Sequence, residues 1–258
     1  MRIRRDNWVI GGSPRHDETT TRRGIGAPTS ASRVGRFRRA LTSGGRPTGV
    51  IVGLVAVALV FSGCLATGYN YVSHRNSDHT ELYFKVPSRW KFFSDKQIIL
   101  ADNPNLSDKQ LKTLESGRWL EAFTPDPKAS VKKLGDYEAG YPMGTVYARE
   151  LGADERQSYS LSSLRTEVLA NDPLVSNSPD KVLGYSEFTG PSGLRGSRML
   201  VDIPLSSGKF VTFDQVAEVD SGTDWVFVIA VGCTVTCWRH YGGIVKQVMN
   251  SWTVRSTR

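Results

Sequence analysis

From residue 81 onward the sequence alternates short apolar runs with turn residues. ELYFKVP (81–87) sets Leu82, Phe84 and Val86 on one face at period two, which predicts a half-buried strand ended by Pro87. Trp90, Phe92 and Phe93 follow as a short aromatic strand or turn. Ser107, with Gln110 three residues on, has the form of a capping box and opens a helix whose Leu111 and Leu114 face inward. GRWLEAFT (117–124) predicts the next strand, 125–142 a loop with a short helical turn over 129–134, and GTVYAR (144–149) another strand. Leu161, Leu164 and Val168 recur at helical spacing, predicting a helix over 161–170 that 171–179 breaks.

The C-terminal third is patterned most strongly. Runs at 182–188, 198–203, 209–219 and 225–233 read as strands separated by Gly, Ser, Pro and Asp turns. WVFVIAV (225–231) is apolar almost throughout, so it belongs to a strand buried on both faces. A last helix carries Ile244, Val245, Val248, Met249 and Trp252 as one stripe. Several antiparallel strands followed by a helix predict an α+β fold, an antiparallel sheet covered by helices.

A different pattern precedes this domain. Between Arg46 and Arg75 there is no Lys, Arg, Asp or Glu, and residues 49–66 are strongly apolar. As a helix they reach roughly 27 Å at about 1.5 Å per residue, enough to span a hydrocarbon core. Two readings share this orientation. One is an uncleaved single-pass anchor. The other is a lipoprotein signal, because Ser62-Gly63-Cys64 resembles a bacterial lipobox with Phe61 where Leu is usual. Cys64 would then be lipidated and become the N-terminus. The 48-residue tail suits the anchor better than a signal peptide, unless translation begins downstream, for example near Val34. Arg38-Arg39 has a twin-arginine look, but the residues after it do not fit such a signal. A polar stretch, 67–80, is expected as a linker, with His74 and His79 as solvated spacer residues.

Charge sharpens that division. The net charge of +8 sits wholly in residues 1–48, where eleven arginines face three acids, Asp6, Asp17 and Glu18; residues 49–258 hold equal numbers of basic and acidic side chains. A basic tail ahead of an apolar run is what the positive-inside rule expects of a cytoplasmic segment. Its arginines are interleaved with Gly, Ser and Thr without an aromatic-basic pattern, so no nucleic-acid partner is expected. Too few large apolar residues occur in 1–48 to offset chain entropy, and disorder is expected there.

The opening YFKVPSRWKFF and the closing VFVIAVGCTVTCWRHYGGIVKQVMNSWTV resemble bacterial PsbP-like lipoproteins and membrane-anchored proteins of actinobacterial type. In that group an apolar strand ends at a close Cys pair and a helix finishing in Ser-Trp-Thr closes the domain. The resemblance covers about 81–255 and implies an α-β-α sandwich around an antiparallel sheet. It implies an accessory or binding protein, not an enzyme. The metal-binding roles of plant photosystem relatives are not carried over, because no ligand residues match.

Candidate chemistry is sparse. Outside the membrane the close pair Cys233 and Cys237 is expected to form a disulfide, since residues four apart on a helical turn lie about 6 Å apart between Cα atoms. Two alternatives stay open: a C-x3-C-x2-H metal site that adds His240, which lacks a fourth ligand, and a redox pair, which lacks C-x-x-C spacing. There is no G-x-S-x-G, H-E-x-x-H or P-loop motif, and no His lies inside the domain before His240 to serve a Ser-His-Asp arrangement. Asp102-Asn103-Pro104-Asn105 reads as an Asx-rich turn rather than a calcium loop. Asp126 and the Asp154-Glu155 pair are expected to be solvated.

The combined expectation is a plasma-membrane protein whose domain, 81–258, is extracytoplasmic. It would need no cofactor and bind an unknown protein or envelope ligand without catalysis. The alternative is an envelope redox or metal-dependent protein using Cys233, Cys237 and His240.

Overall fold

The computed structural model describes residues 2–3, 8–9, 68–190 and 193–256. The expected disordered tail lies outside these residues apart from a two-residue ladder, β1 (Arg2–Ile3) against β2 (Trp8–Val9). The apolar run 49–66 and Cys64 lie outside them too. Among the described residues no helix is long and apolar enough to cross a membrane.

The folded domain begins before residue 81. The stretch expected as a linker contains β3 (Tyr69–Arg75), which pairs antiparallel with β4 (Thr80–Pro87), Tyr69 opposite Pro87 and Arg75 opposite Glu81. Asn76 holds the turn between them, its side-chain oxygen accepting from the Thr80 N–H at 2.8 Å. Polarity concealed this strand: β3 is an edge strand, and its outward positions need no apolar side chains. β4 follows its period-two pattern, with Leu82, Phe84 and Val86 buried.

β5 (Lys91–Ser94) is the expected aromatic strand, and it runs directly into α1 (Asp95–Asp102), a helix the apolar pattern does not announce. Ser94 and Gln97 cap α1 as Ser107 and Gln110 cap α2 (Asp108–Glu115), each pair forming a reciprocal capping box. Asp102 closes α1, the Asn103 N–H caps it on Ile99 O, and Pro104-Asn105 form the turn beyond, so the Asx-rich run is a helix end followed by the expected turn. In α2 only Leu111 is buried; Leu114, expected to face inward, is 42% exposed. A helix of two turns meets the domain through one side chain.

β6 (Arg118–Thr124) and β7 (Met143–Glu150) flank a loop with a 3-10 turn at Val131–Lys133. Gly144 admits no side chain, because the fully buried Phe123 ring occupies the place of a Cβ. α3 (Ala153–Ser158) precedes α4 (Leu161–Arg165), which stops short of the expected 170. The Gln215 side-chain amide donates to Leu164 O at 2.9 Å and to Arg165 O at 3.4 Å, satisfying carbonyls that a longer helix would have used. Val168 and Leu169 remain buried beyond the helix end.

β8 (Lys181–Thr189), β9 (Arg195–Pro204), β10 (Phe210–Val219) and β11 (Trp225–Thr234) match the four predicted runs. α5 (Val235–Met249) follows, and β12 (Thr253–Ser256), unforeseen in the sequence, pairs with β4. The fold is mixed α+β with antiparallel sheets. Seven strands form one sheet in the order β5-β6-β7-β11-β10-β9-β8, and three form another, β12-β4-β3.

β11 lies at the centre of the large sheet and is buried from Trp225 to Cys233, as its unbroken apolar sequence requires. Its two faces feed two cores. Phe227, Ile229 and Val231 pack with Val245, Val248 and Met249 of α5 and with Leu82, Phe84 and Val254 of the small sheet. Val226, Val228 and Ala230 pack with Ile98, Leu151, Tyr159, Leu164 and Val168 on the opposite side. Each such large side chain contributes about 1.5–3 kcal/mol on burial. One face of the large sheet is therefore covered by α5 together with a second sheet, a departure from cover by helices alone.

Candidate functional site

The small sheet turns one face inward and the other to solvent. Cross-strand neighbours share a face, so the pairs Tyr71–Lys85, Ser73–Tyr83 and Arg75–Glu81 place all six residues outward, with Thr253 and Arg255 beside them on β12. Val72 packs toward the core, and the His74 ring stacks on Trp119 of β6 with centroids 4.6 Å apart and planes within 6°. Burial lowers the His74 pKa, which favours the neutral ring in that stack. The stack ties β3 to the large sheet and fixes which way its outer face looks.

That outer face holds an open cleft of about 390 Å³ lined by Tyr71, Val72, Ser73, Tyr83, Phe84, Lys85 and Ser251. Tyr71 is 81% exposed, the most exposed large hydrophobic side chain among the described residues. Lys85 Nζ sits 4.7 Å above the Tyr69 ring, and the Tyr69 hydroxyl donates to Gln247 Oε1 at 2.7 Å. Ser251 Oγ accepts from the Lys85 backbone N–H at 2.9 Å, fixing the cleft floor to the end of α5. The Tyr83 hydroxyl donates to Glu81, which also pairs with Arg75 at 2.6 Å. Rings, hydroxyls and an ammonium group can hold a ligand by stacking and hydrogen bonding. They do not form a nucleophile and base pair.

The cysteines behave as the disulfide expectation requires. Cys233, at the end of β11, is bonded to Cys237 in the first turn of α5, with Cα atoms 5.8 Å apart. Both are buried, whereas His240 is exposed on α5. With both sulfurs bonded to each other, neither is a thiolate ligand, and the Cys233, Cys237 and His240 metal alternative loses two of its three donors. No group of three or more His, Cys, Asp or Glu side chains able to hold a metal occurs among the described residues.

The buried carboxylates escaped the sequence reading. Glu167 accepts from the hydroxyls of Tyr147 at 2.8 Å and Tyr159 at 2.5 Å and pairs with Arg149 at 2.7 Å. Glu155, expected to be solvated, is the other partner of Arg149 at 2.6 Å. Burial opposes the Arg149 charge, but the hydrogen bonds it donates to Glu155 and Glu167 hold its pKa above the usual value; burial raises the Tyr147 and Tyr159 hydroxyls. On the other face of the sheet Glu218 accepts from Trp252 Nε1 at 2.7 Å, and burial pushes its carboxyl up to about 7. Asp214 pairs with Arg198, which also donates to Asn250 Oδ1. These groups join layers, and none of them lines the cleft. The one sequence signal for them was a charged or polar residue inside an otherwise apolar strand, as in VTFDQVAEV.

No family model and no curated protein matches the chain. Among solved structures, LpqN of Mycobacterium tuberculosis, described as involved in cell envelope biogenesis, is 12% identical with a TM-score of 0.39, covering 72% of this chain and 90% of its own. The cyanobacterial PsbP, CyanoP, of Synechocystis is 11% identical with a TM-score of 0.39, covering 72% and 92%. The Ran-binding protein Mog1p of Saccharomyces cerevisiae is 12% identical with a TM-score of 0.35, covering 74% and 98%. Likeness at this level fixes neither activity nor ligand.

Proposed function

We propose that the chain is a membrane-tethered, extracytoplasmic accessory or binding domain without catalytic activity, and that it binds through the outer face of the three-stranded sheet. The observation that carries the proposal is Tyr71, 81% exposed above a cleft completed by Tyr83, Lys85, Ser73 and Ser251. Exposed tyrosines beside a lysine are a common means of holding a partner by ring stacking, hydrogen bonding and charge. Tethering follows from residues 49–66, apolar and uncharged behind a basic tail, or from acylation of Cys64.

A photo-crosslinking residue at Ser73, in the full chain in intact cells, tests the binding face. Adducts to an envelope component are expected from position 73 and not from Val175, an exposed position in the loop after α4. Equal labelling, or none, from the two positions would overturn the assignment of this face.

A further inference from the structure

The strand that replaces the expected linker leaves little sequence between the apolar run and the domain. Only Thr67 and Gly68 separate the apolar run ending at Ala66 from Tyr69, the first residue of β3. Two extended residues span at most about 7 Å, and four, if Cys64 is the acylated N-terminus, about 14 Å. Under either form of tethering, β3 starts within reach of the lipid headgroups. The face that begins there carries Tyr69, Tyr71 and Tyr83, the ring-plus-hydroxyl side chains enriched where hydrocarbon meets water.

Its charge has one sign in excess. Arg75, Lys85 and Arg255 stand against Glu81, and Glu81 is taken by Arg75. Among the described residues, neither Lys85 nor Arg255 has a carboxylate within ion-pair distance. Residues 49–258 are neutral as a whole, so this local excess is a property of the face. The His74–Trp119 stack and the buried Leu82, Phe84 and Val86 prevent the sheet from turning the face inward. We propose that Tyr69, Tyr71, Tyr83, Lys85 and Arg255 seat the small sheet on the anionic headgroup layer of the membrane from which the chain emerges. This rests on the tethered reading above, and it makes the cleft a lipid-facing surface.

The test uses the full chain with Cys64→Ser, in which the uncleaved apolar run is the anchor, and a single fluorophore on Ser73→Cys or on Val175→Cys. Each is incorporated into vesicles of phosphatidylcholine with a minor fraction of phosphatidylglycerol, and nitroxide-bearing lipid serves as quencher. Retention of the buried Cys233–Cys237 disulfide and an unchanged circular dichroism spectrum establish the fold. The expected result is flotation with the vesicles and severalfold stronger quenching at position 73 than at 175. That excess should fall to the control level when Lys85→Glu and Tyr71→Ser are added. Flotation with equal quenching at both positions would overturn the seating while leaving the tether intact, and would free the face for a protein or glycan. Failure to float would overturn the tether and the seating with it.

Discussion

Trp252 donates its indole N–H to Glu218 at 2.7 Å, joining the residue just before β12 to β10, the neighbour of the central strand in a different sheet. Glu218 is 5% exposed, and Gly190 and Gly196 approach it from the β8–β9 hairpin. A carboxylate there would lack the water that stabilises its charge, which is why its pKa rises from 4.5 to about 7. The pair is a hydrogen-bonded tie between the two sheets.

That relationship predicts a pH dependence of stability. Below about 4.5 the group is protonated in folded and unfolded chains alike and imposes no penalty. As the pH rises from 4.5 toward 7 the unfolded chain ionises first, so stability declines, by up to about 3 kcal/mol once both forms have titrated. Glu218→Gln keeps an acceptor for Trp252 and removes the titration. The variant should melt at higher temperature than the parent at pH 8, with little difference at pH 4.5. Equal pH profiles for parent and variant would show that Glu218 is not the group responsible.

Glu167 supports the opposite face. Glu167→Ala removes the acceptor of two buried tyrosine hydroxyls and one of the two carboxylates of Arg149, at an expected cost of about 3 kcal/mol in urea unfolding. Glu155→Ala removes a partner whose side chain is 32% exposed, and should cost about 1 kcal/mol or less. Equal losses for the two would contradict the assignment of Glu167 as the central acceptor.

The disulfide closes a short loop, and its contribution is expected to be about 2 kcal/mol. Cys233→Ser with Cys237→Ser should lower the melting temperature by several degrees and leave labelling from the sheet face unchanged. Loss of a redox or metal-dependent activity from a still-folded variant would instead favour the alternative function.

Where burial is one-sided or complete, the sequence shows it. Leu82, Phe84 and Val86 announce β4 by alternation, and WVFVIAV announces a central strand by having none. Ser107 and Gln110 mark α2, and the same box at Ser94 and Gln97 could have marked α1. β3 and β12 were not legible because each is an edge strand of a three-stranded sheet, specified by pairing with β4 rather than by its own pattern. The candidate face was hidden for the same reason. Tyr69, Tyr71, Tyr83, Lys85 and Arg255 become neighbours only when β3, β4 and β12 align. Glu167 and Glu218 looked like ordinary charges until the fold closed over them.

Protease added to intact spheroplasts that express the full chain tests whether the domain is tethered outside the cytoplasm. The prediction is loss of the domain from residue 68 onward, survival of a membrane-bound fragment containing the basic tail or a lipidated remnant at Cys64, and full sedimentation with membranes before digestion. A domain that resists digestion until the cells are lysed, or that is recovered in the soluble fraction, would contradict it.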